Sequence, residues 1–505
     1  MVDCLMGIDA GNTMIKAVLF DLQGRVLGVG ECGGTTHQPH PGHAERYFSE
    51  IYQGAGGAIH DCLARAGVRP HQVIGVGAAG HGNGLYALDR HQQPLIGIQS
   101  IDSRAAGRVS ELERLKLSDA IYRRSLQKPW AAATPVLLSW LKCHHIELYR
   151  RIGTVLFAKD IISHFLTGVA SSDVSDAAGA GLLHYATRGY DAELMALYDL
   201  DDAMALLPCL RESCDIIGHI TNAAARLTGL PAGIPVVAGV FDVVASAIGS
   251  GVVHTGDASI VAGTWSINQV VVDAPDYQRP VFMNSIIERD RYMAIEASAT
   301  SAANLDWFVR EFANSPEGAE RCSAEVAMVK PHTHLPLYHP YLYSGRKDVP
   351  AKAGFYGMSG WHTRADMLYA LFEGVTFAHR AHVDRLRAAG IVFSQATLSG
   401  GGARSCVWPQ MFADALGIPI RVSECRETGA LGAAICAGVG VGVWRDMSAG
   451  VAQAVQLNPQ LFLPDDDLYS FHSTRYRLFK QLETAMSGLW QTNDNSTLVT
   501  TDPLP

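Results

Sequence analysis

Two strand–turn–strand segments, one in each half of the chain, limit the possible folds more than any other feature. Residues 5–30 read as a β-hairpin followed by a third strand, with the turn at DAGNT (9–13). Residues 258–272 again give strand, Gly-Thr turn and strand, with AGTWS at 262–266. The two segments share no extended identity, so the pairing alone does not establish a duplicated domain.

The chain has 505 residues, more than one hydrophobic core accommodates, so we expect two domains. Apolar residues at helical spacing alternate with short buried-strand patterns such as IGVGAAG (74–80), which indicates an α/β fold. Residues 134–166 are rich in helical pattern. We expect a domain at 1–245, a domain at 246–485 and a flexible tail at 486–505, which is polar and contains proline.

Charge and cysteine content exclude several classes of protein. The formal net charge is −9, which disfavours binding to nucleic acid. The ten cysteines include no C-x-x-C pair, so a zinc ribbon or redox dithiol is not expected. Scattered thiols and a first segment without the basic region of a signal peptide are typical of a cytoplasmic protein.

One apolar run, Gly233–Val253, is long enough to cross a bilayer. Asp242 lies at its centre, where a charge costs at least ~2.5 kcal/mol on insertion. We therefore expect no membrane partner and interpret the run as two buried elements joined by a turn. Asp242 is then an acid in an apolar setting, either a functional group or the N-cap of the following helix.

The two glycine turns are candidate phosphate-binding sites. Glycine lets a phosphate oxygen approach successive backbone N–H groups, and threonine adds a hydroxyl donor. Asp9 could hold Mg²⁺ and Lys16 could add positive charge. Ordinary hairpins remain the alternative for each turn. The turn residues are Gly11, Asn12, Thr13, Gly263 and Thr264.

A third glycine loop follows a predicted strand at 396–399 and precedes a predicted helix at 407–416. Its backbone could lie against adenosine or the α-phosphate near a helix N-terminus. The loop fits neither the dinucleotide fingerprint nor the P-loop pattern. Its candidate residues are Gly400, Gly401, Gly402 and Ser405.

Nine segments together resemble the FGGY carbohydrate kinases of the actin-like ATPase superfamily. They are GIDAGNTMIKAVLFD (7–21), PGHAER (41–46), IDSR (101–104), KDIISHFLTG (159–168), SDVSDAAG (172–179), GIPVVAGVFDVVASAIG (233–249), GTWS (263–266), LSGGGARSCVWPQMFADALGIPI (398–420) and ETGALGAAICAG (427–438). The resemblance covers about residues 5–480. It implies two actin-like, ribonuclease H-like domains with a nucleotide and sugar cleft between them.

The resemblance also implies roles for particular residues. Asp242 corresponds to the catalytic base and, with Asp9, to the magnesium site. The first phosphate turn corresponds to Asp9, Gly11 and Thr13, and the second to Gly263 and Thr264. Gly401 and Ser405 fall where the family holds adenosine. ATP and Mg²⁺ are the implied cofactors, and a small sugar is the implied partner. A homodimeric assembly is left open.

The expected sugar is a ketopentose. His81-Gly82-Asn83-Gly84 occupies the family's sugar-contacting segment, and with GTWS, EASATSAANLDWF (296–308) and GFYGM (354–358) it most resembles L-xylulose kinases. D-xylulose, ribulose, erythritol and glycerol remain alternatives. Each remaining candidate contact has a structural alternative: a solvated turn for His81, Gly82 and Asn83, a local ion pair for Asp102 and Arg104, and core packing for Trp265.

A second class of function shares the phosphate turns. A non-kinase ATPase of the actin-like superfamily, acting as a regulator or chaperone, would not need sugar-contacting groups around Asp242. ATP consumption that depends on an added sugar separates the two classes.

Overall fold

A computed structural model describes residues 3–313, 318–343 and 351–495. Its contacts divide the chain into two units, each built from several segments. Unit 1 comprises Met1–Asp257, Val270–Ile295 and Glu427–Leu457, and unit 2 comprises Ala258–Gln269, Glu296–Arg426 and Asn458–Pro505. The sequence-based division treats each domain as one continuous segment, whereas these units are interleaved along the chain.

The strands, in chain order, are β1 (Cys4–Ala10), β2 (Met14–Asp21), β3 (Val26–Gly33), β4 (Val73–Gly80), β5 (Leu85–Asp89), β6 (Pro94–Ile98), β7 (Ile152–Leu156), β8 (Ser171–Asp173), β9 (Leu183–His184), β10 (Gly189–Tyr190), β11 (Cys209–Arg211), β12 (Ile216–His219), β13 (Pro235–Val237), β14 (Val240–Phe241), β15 (Ala258–Ala262), β16 (Ser266–Val272), β17 (Met283–Glu288), β18 (Arg291–Ser298), β19 (Leu337–His339), β20 (Gly354–Tyr356), β21 (Ala396–Ser399) and β22 (Ile420–Val422).

The α-helices are α1 (Phe48–Ala66), α2 (Ala106–Arg114), α3 (Ser118–Ser125), α4 (Thr134–His144), α5 (Ile146–Tyr149), α6 (Ala158–Thr167), α7 (Val174–Gly179), α8 (Ala192–Leu197), α9 (Asn222–Thr228), α10 (Asp242–Gly249), α11 (Ala303–Phe308), α12 (Gly318–Ala327), α13 (Arg364–Ala388), α14 (Trp408–Leu416), α15 (Thr428–Gly440), α16 (Met447–Ala454) and α17 (Asp466–Asn495). Short 3₁₀ turns occur at Pro70–Gln72, Ala203–Leu206 and Gly401–Arg404, and a π-helical turn follows α11 at Val309–Ala313.

The large sheet of unit 1 brings three strand ends to one edge. Its order is β12-β13-β4-β1-β2-β3, with β14 also paired to β4. β1 runs antiparallel to β2 and parallel to β4, and β14 runs parallel to β4. Ala10 and Phe241 both lie in register with Gly80. The carboxyl ends of β1, β4 and β14 therefore meet, and such an edge is where open α/β sheets bind ligands.

The two faces of β1 have different neighbours because its side chains alternate. Cys4, Met6 and Ile8 lie in a buried core with α1 residues such as Ile51. On the other face, a Cβ atom at Gly7 would lie 1.8 Å from the Ala430 carbonyl oxygen of α15. Glycine therefore permits α15 to lie directly on the strand, on the same face as Asp9.

Unit 2 contains a parallel set of strands and two long helices. β21 lies parallel to both β15 and β22. Helix α13 begins with a capping box between Thr363 and Asp366. Helix α17 runs to Asn495, so residues 486–495 of the expected flexible tail are helical, and residues 496–505 lie outside the described residues.

Two stretches, 134–166 and 233–253, form more elements than the sequence pattern indicated. β7 interrupts the stretch 134–166, which the pattern indicates as helical, and separates α5 from α6. Within the described part of the chain, no helix combines the length and the apolar content needed to cross a bilayer. The run 233–253 instead forms three short elements, β13, β14 and α10, one more than the two buried elements expected from the sequence.

Candidate active site

The shared edge of the unit 1 sheet carries three of the predicted site residues. Asp9 is the penultimate residue of β1, His81 directly follows β4, and Asp242 directly follows β14. The His81 backbone N–H donates a hydrogen bond to the Ala10 carbonyl oxygen at 3.1 Å, which ties two of the strand ends together. Strand pairing thus assembles residues that are far apart in the sequence.

Asp9 lies among charged neighbours. Burial and the nearby Glu427 carboxylate raise its pKa to about 6, although Lys16 opposes them. The Lys16 ammonium lies 3.0 Å from Glu427 Oε2 and 3.5 Å from Glu31 Oε1. Two carboxylates therefore neutralise Lys16, the residue that we expected from the sequence to add positive charge at the phosphate site. A Cβ atom at Gly429 would lie 2.6 Å from Asp9 Oδ2, so the start of α15 closely approaches this carboxyl group.

The first glycine turn is held by its neighbours. The Gly11 N–H donates to the Met14 carbonyl oxygen at 3.0 Å, and Arg46 Nη1 donates to the Gly11 carbonyl oxygen at 3.1 Å. Asn12 Nδ2 donates to Ser100 Oγ at 2.9 Å, so part of the Asn12 side chain is already engaged. Thr13 is exposed and its side chain can meet a ligand.

Asp242 is the first residue of α10, and Phe241 is the N-cap. The alternative that Asp242 itself caps the helix is thus wrong by one residue. Burial and the negative charge of Asp9 raise the pKa of the Asp242 carboxyl group well above its usual value, although the Val243 N–H donates to it. Asp9 and Asp242 therefore interact electrostatically, and two neighbouring carboxyl groups favour a bound cation.

The segment after β4 is built around Phe241. A Cβ atom at Gly82 would lie 2.4 Å from the Phe241 ring, which explains the glycine. His81 is buried, its Nε2 lies 2.9 Å from the Tyr86 hydroxyl, and burial lowers its pKa to about 4, so the ring is neutral at pH 7. Asn83 has a φ of 62°, and its buried Oδ1 has no hydrogen-bond partner among the described residues.

Asp102 and Arg104 are engaged with protein groups. Arg104 Nε donates to Asp102 Oδ2 at 2.9 Å, and Arg104 Nη2 donates to Glu45 Oε1 at 2.8 Å. Asp102 Oδ2 also accepts the Ala44 N–H at 2.6 Å. Both side chains are buried, so the local ion pair is the arrangement that the structure contains.

In unit 2, the second and third glycine turns lie side by side. Gly400 has a φ of 82°, and a Cβ atom there would lie 2.9 Å from the Ala262 carbonyl carbon and 3.1 Å from the Gly263 nitrogen. A Cβ atom at Gly402 would lie 2.7 Å from the Ala262 side chain. Thr264 and Trp265 are exposed, the latter by 37%, so Trp265 does not fill the core in this unit.

The Ser405 hydroxyl group is bonded to backbone N–H groups at the start of α14, which follows the third turn. Ser405 Oγ accepts the Val407 N–H at 3.1 Å and the Trp408 N–H at 3.2 Å. Ser323 Oγ lies 3.1 Å away and donates to the same oxygen. The Ser405 hydroxyl group is therefore occupied as an acceptor, and only its proton is left to donate to a further group.

The sequence did not predict two groups of charged residues that lie near this edge of the sheet. Glu427 pairs with Lys16 across 411 positions of sequence. Lys159 is fully buried with Asp160, Asp173 and Asp176. All of these residues lie within segments that carry the family resemblance, but nothing in the sequence indicated which residues would meet.

Known proteins match the chain along nearly its whole length. The model of the N-terminal domain of the FGGY family of carbohydrate kinases matches residues 4–249, and that of the C-terminal domain matches residues 258–441. The L-xylulose/3-keto-L-gulonate kinase of Escherichia coli K12 is 32% identical, covering 97% of this chain and 98% of that protein. A probable L-xylulose kinase of Pasteurella multocida is 33% identical, covering 96% and 99%.

A solved structure also matches. The xylulose kinase of Rhodospirillum rubrum superimposes with a TM-score of 0.86 at 27% identity, covering 97% of this chain and all of that one. The two-domain, mixed α/β, actin-like fold expected from the sequence is thereby confirmed.

Proposed function

Because the chain belongs to the FGGY family of carbohydrate kinases, and is thus a phosphotransferase with an alcohol group as acceptor, we propose that it transfers the γ-phosphoryl group of ATP to a hydroxyl group of a ketopentose. ATP is the phosphoryl donor that sugar kinases of this family use. L-xylulose is the first substrate to test, because two relatives that match nearly the whole chain are named for it.

The observation that carries the proposal is the meeting of three strand ends in unit 1. It supports a site in which Asp242 acts as the base, His81 and Asn83 contact the sugar, and Asp9 and the turn at Gly11–Thr13 face the phosphates. Neutral His81 can donate or accept a hydrogen bond to a hydroxyl group, and the unpartnered Asn83 Oδ1 can accept one.

Asp242 is proposed to orient the sugar hydroxyl group and accept its proton late in transfer. Phosphoryl transfer passes through a loose transition state, so positioning and charge neutralisation matter more than covalent chemistry. The fixed start of α10 gives the carboxylate a defined direction. Asp102 and Arg104, which the sequence offers as sugar contacts, are left out of this proposal, because their charged groups are engaged with each other and with Glu45.

The donor set fits magnesium. Asp9 and Asp242 supply only oxygen atoms, and burial and neighbouring carboxylates raise the pKa values of both groups. No group of three or more metal-ligating side chains occurs in the described ranges, but Mg²⁺ needs only one or two carboxylates. Asp9 and Asp242 would hold Mg²⁺, which supplies positive charge that favours ionised carboxylates and neutralises the transferred phosphoryl group.

The adjacent turns of unit 2 are proposed to bind the nucleotide. Exposed Thr264 offers a backbone N–H group and a hydroxyl group to phosphate oxygens, whereas the Gly263 N–H donates to the Trp265 carbonyl oxygen at 3.3 Å and Gly263 contributes a turn without a side chain. Exposed Gly401 leaves open backbone for adenosine. Ser405 contributes at most a donated hydrogen bond, since its lone pairs are used within the protein.

The test is ADP release from purified protein with Mg-ATP and a panel of L-xylulose, D-xylulose, L- and D-ribulose, 3-keto-L-gulonate, erythritol and glycerol. We expect one ketopentose to stimulate turnover and Asp242→Asn to lower kcat by about 10²–10⁴. Asp466→Asn is the matched control, because Asp466 is also the first residue of a helix but is exposed.

Each outcome decides one part of the proposal. If no sugar stimulates ADP release while ATP still binds, the ketopentose assignment is wrong. If a sugar is phosphorylated but Asp242→Asn turns over like the Asp466→Asn control, the base assignment is wrong.

A further inference from the structure

A buried lysine in unit 1 lies among three aspartates. Lys159, at the start of α6, has no exposed surface, and its Nζ lies 2.5 Å from Asp160 Oδ1, 2.9 Å from Asp173 Oδ1 and 3.9 Å from Asp176 Oδ2. Burial alone would lower its pKa, but the three carboxylates outweigh burial and raise it. Lys159 is therefore a permanent positive charge in the interior, and it fixes the orientation of the Asp173 carboxylate.

The second oxygen of Asp173 collects three hydrogen bonds. Asp173 Oδ2 accepts the Ser175 N–H at 2.9 Å, the Ser175 hydroxyl at 2.5 Å and the Ser213 hydroxyl at 2.7 Å. The donated Ser175 proton leaves the Ser175 oxygen free to accept. All of these side chains are buried, so water does not compete for their hydrogen bonds.

The Ser175 oxygen accepts the Phe241 backbone N–H at 2.9 Å. Phe241 is the N-cap of α10 and immediately precedes Asp242. Its ring is confined as well, since Cβ atoms at Gly82 and Gly179 would lie 2.4 Å and 3.1 Å from it. The direction of the next residue is thus fixed through both the backbone and the side chain of Phe241.

We propose that Lys159, Asp173 and Ser175 form a positioning relay that holds the Phe241 peptide and thereby aims the Asp242 carboxylate at the sugar hydroxyl group. The inference rests on the proposed role of Asp242 as the base. None of the relay residues touches the reacting atoms. A displacement of about 1 Å at a reacting group can lower a rate by about 10²-fold, so loss of the relay acts mainly on kcat.

Ser175→Ala tests the relay, because it removes the acceptor of the Phe241 N–H without leaving a charge unpaired. We expect kcat to fall about 10–100-fold while the KM for ATP stays within about twofold. Ser175→Cys, which keeps a weaker donor and acceptor of similar size, should restore part of the rate. Lys159→Met is unsuitable as the only probe, since it leaves buried carboxylates unbalanced and can prevent folding.

Ser213→Ala is the matched control. Ser213 donates to the same Asp173 oxygen and is buried, but its side chain is not bonded to Phe241. We expect Ser213→Ala to shift the thermal midpoint about as much as Ser175→Ala while keeping kcat within about threefold of the parent. A lower kcat with an unchanged KM for ATP, seen in Ser175→Ala but not in Ser213→Ala, separates positioning of Asp242 from general stabilisation of the fold.

The double variant separates failure of this inference from failure of the proposed function. In an Asp242→Asn background, Ser175→Ala should cause no further loss of kcat, because the relay acts only through Asp242. If Asp242→Asn is inactive but Ser175→Ala and Ser213→Ala have equal kcat, the relay is overturned and the base assignment stands. If Asp242→Asn is fully active, the proposed function fails and the relay fails with it.

Discussion

Glycine is required at position 400 by two independent constraints. The φ of 82° lies in the left-handed region, and a Cβ atom would press on Ala262 and Gly263 at 2.9–3.1 Å. Strain of this kind costs roughly 1–2 kcal/mol for a residue with a side chain. The position lies where the second and third glycine turns of unit 2 touch.

Gly400→Ala should therefore separate the two turns and weaken nucleotide binding. We expect a KM for ATP raised about tenfold, which corresponds to ~1.4 kcal/mol, and a lower thermal midpoint. Gly67→Ala is the control, because Gly67 also has a positive φ, of 64°, but no atom lies within 4 Å of its Cβ position. Equal KM values in the two variants would show that the touching turns do not shape the nucleotide site.

The chemistry of single residues indicated candidate site positions, but it could not indicate which distant residues would meet. The acid within an apolar run marked Asp242, and the glycine turn marked Gly11 and Thr13. No local pattern pairs Lys16 with Glu427, because a β-hairpin and a distant helix must pack before these side chains meet. Lys159 could not be recognised as buried, since an isolated lysine at a helix start is usually solvated.

Helices α13 and α17 of unit 2 are joined by a buried ionic cluster. Glu373 Oε1 lies 2.9 Å from His472 Nδ1, and Arg475 donates to both carboxylate oxygens at 2.7–2.9 Å. Arg475 also donates to the carbonyl oxygens of Leu335 and Pro336. Burial would raise the pKa of Glu373, but His472 and Arg475 outweigh it and hold the pKa below its usual value.

Because the folded pKa of Glu373 is depressed, its contribution is complete above the unfolded value near ~4.3 and is lost as the pH falls through the folded value. Glu373→Gln should lower the free energy of unfolding by about 3–5 kcal/mol at pH 7, and the difference should shrink below about pH 4.3. Urea unfolding measured from pH 7 downward checks this.

The control for this prediction is Glu147→Gln, because Glu147 pairs with Arg150 at the surface, with both side chains mostly exposed. It should leave the unfolding midpoint nearly unchanged at every pH. A Glu373→Gln deficit that stays constant down to the acid transition would mean that packing, rather than ionisation, accounts for the loss.

Elements were predictable where a turn or a long apolar period marked them. The β1–β2 hairpin follows from its glycine turn, and β21 and α14 follow from the strand and helix patterns on either side of the third glycine loop. β7 has only five residues and lies between helical patterns, so hydrophobic periodicity alone could not distinguish this strand from the neighbouring helices. The shared edge of β1, β4 and β14 is a property of strand order, which pairing decides.

The whole molecule consists of units that are not continuous in sequence. Unit 1 needs α15, which contacts β1 at Gly7 and also packs against α10, since a Cβ atom at Gly432 would lie 2.0 Å from the Ala245 carbonyl oxygen. A fragment of residues 1–295 contains the first two segments of unit 1 but lacks α15 and α16. Its sheet therefore has one uncovered face.

We expect this fragment to unfold without a cooperative thermal transition. Joining residues 427–457 to it through a flexible linker should restore cooperativity, because these residues complete unit 1. Differential scanning calorimetry of the two proteins is the measurement, with the full chain as reference. A cooperative transition in the unlinked fragment would contradict the need for α15.

The late position of α15 also sets an order of events on the ribosome. β1 is among the first elements synthesised, yet α15, the helix that lies on it, is synthesised only after residues 296–426 have been made. Residues 11–427 lie between β1 and α15, and at elongation rates of about 5–20 residues per second their synthesis takes an interval of roughly 21–83 s. Throughout it, the nascent chain presents a glycine-lined apolar strand surface, which makes the growing polypeptide a client for chaperones that bind such surfaces during translation.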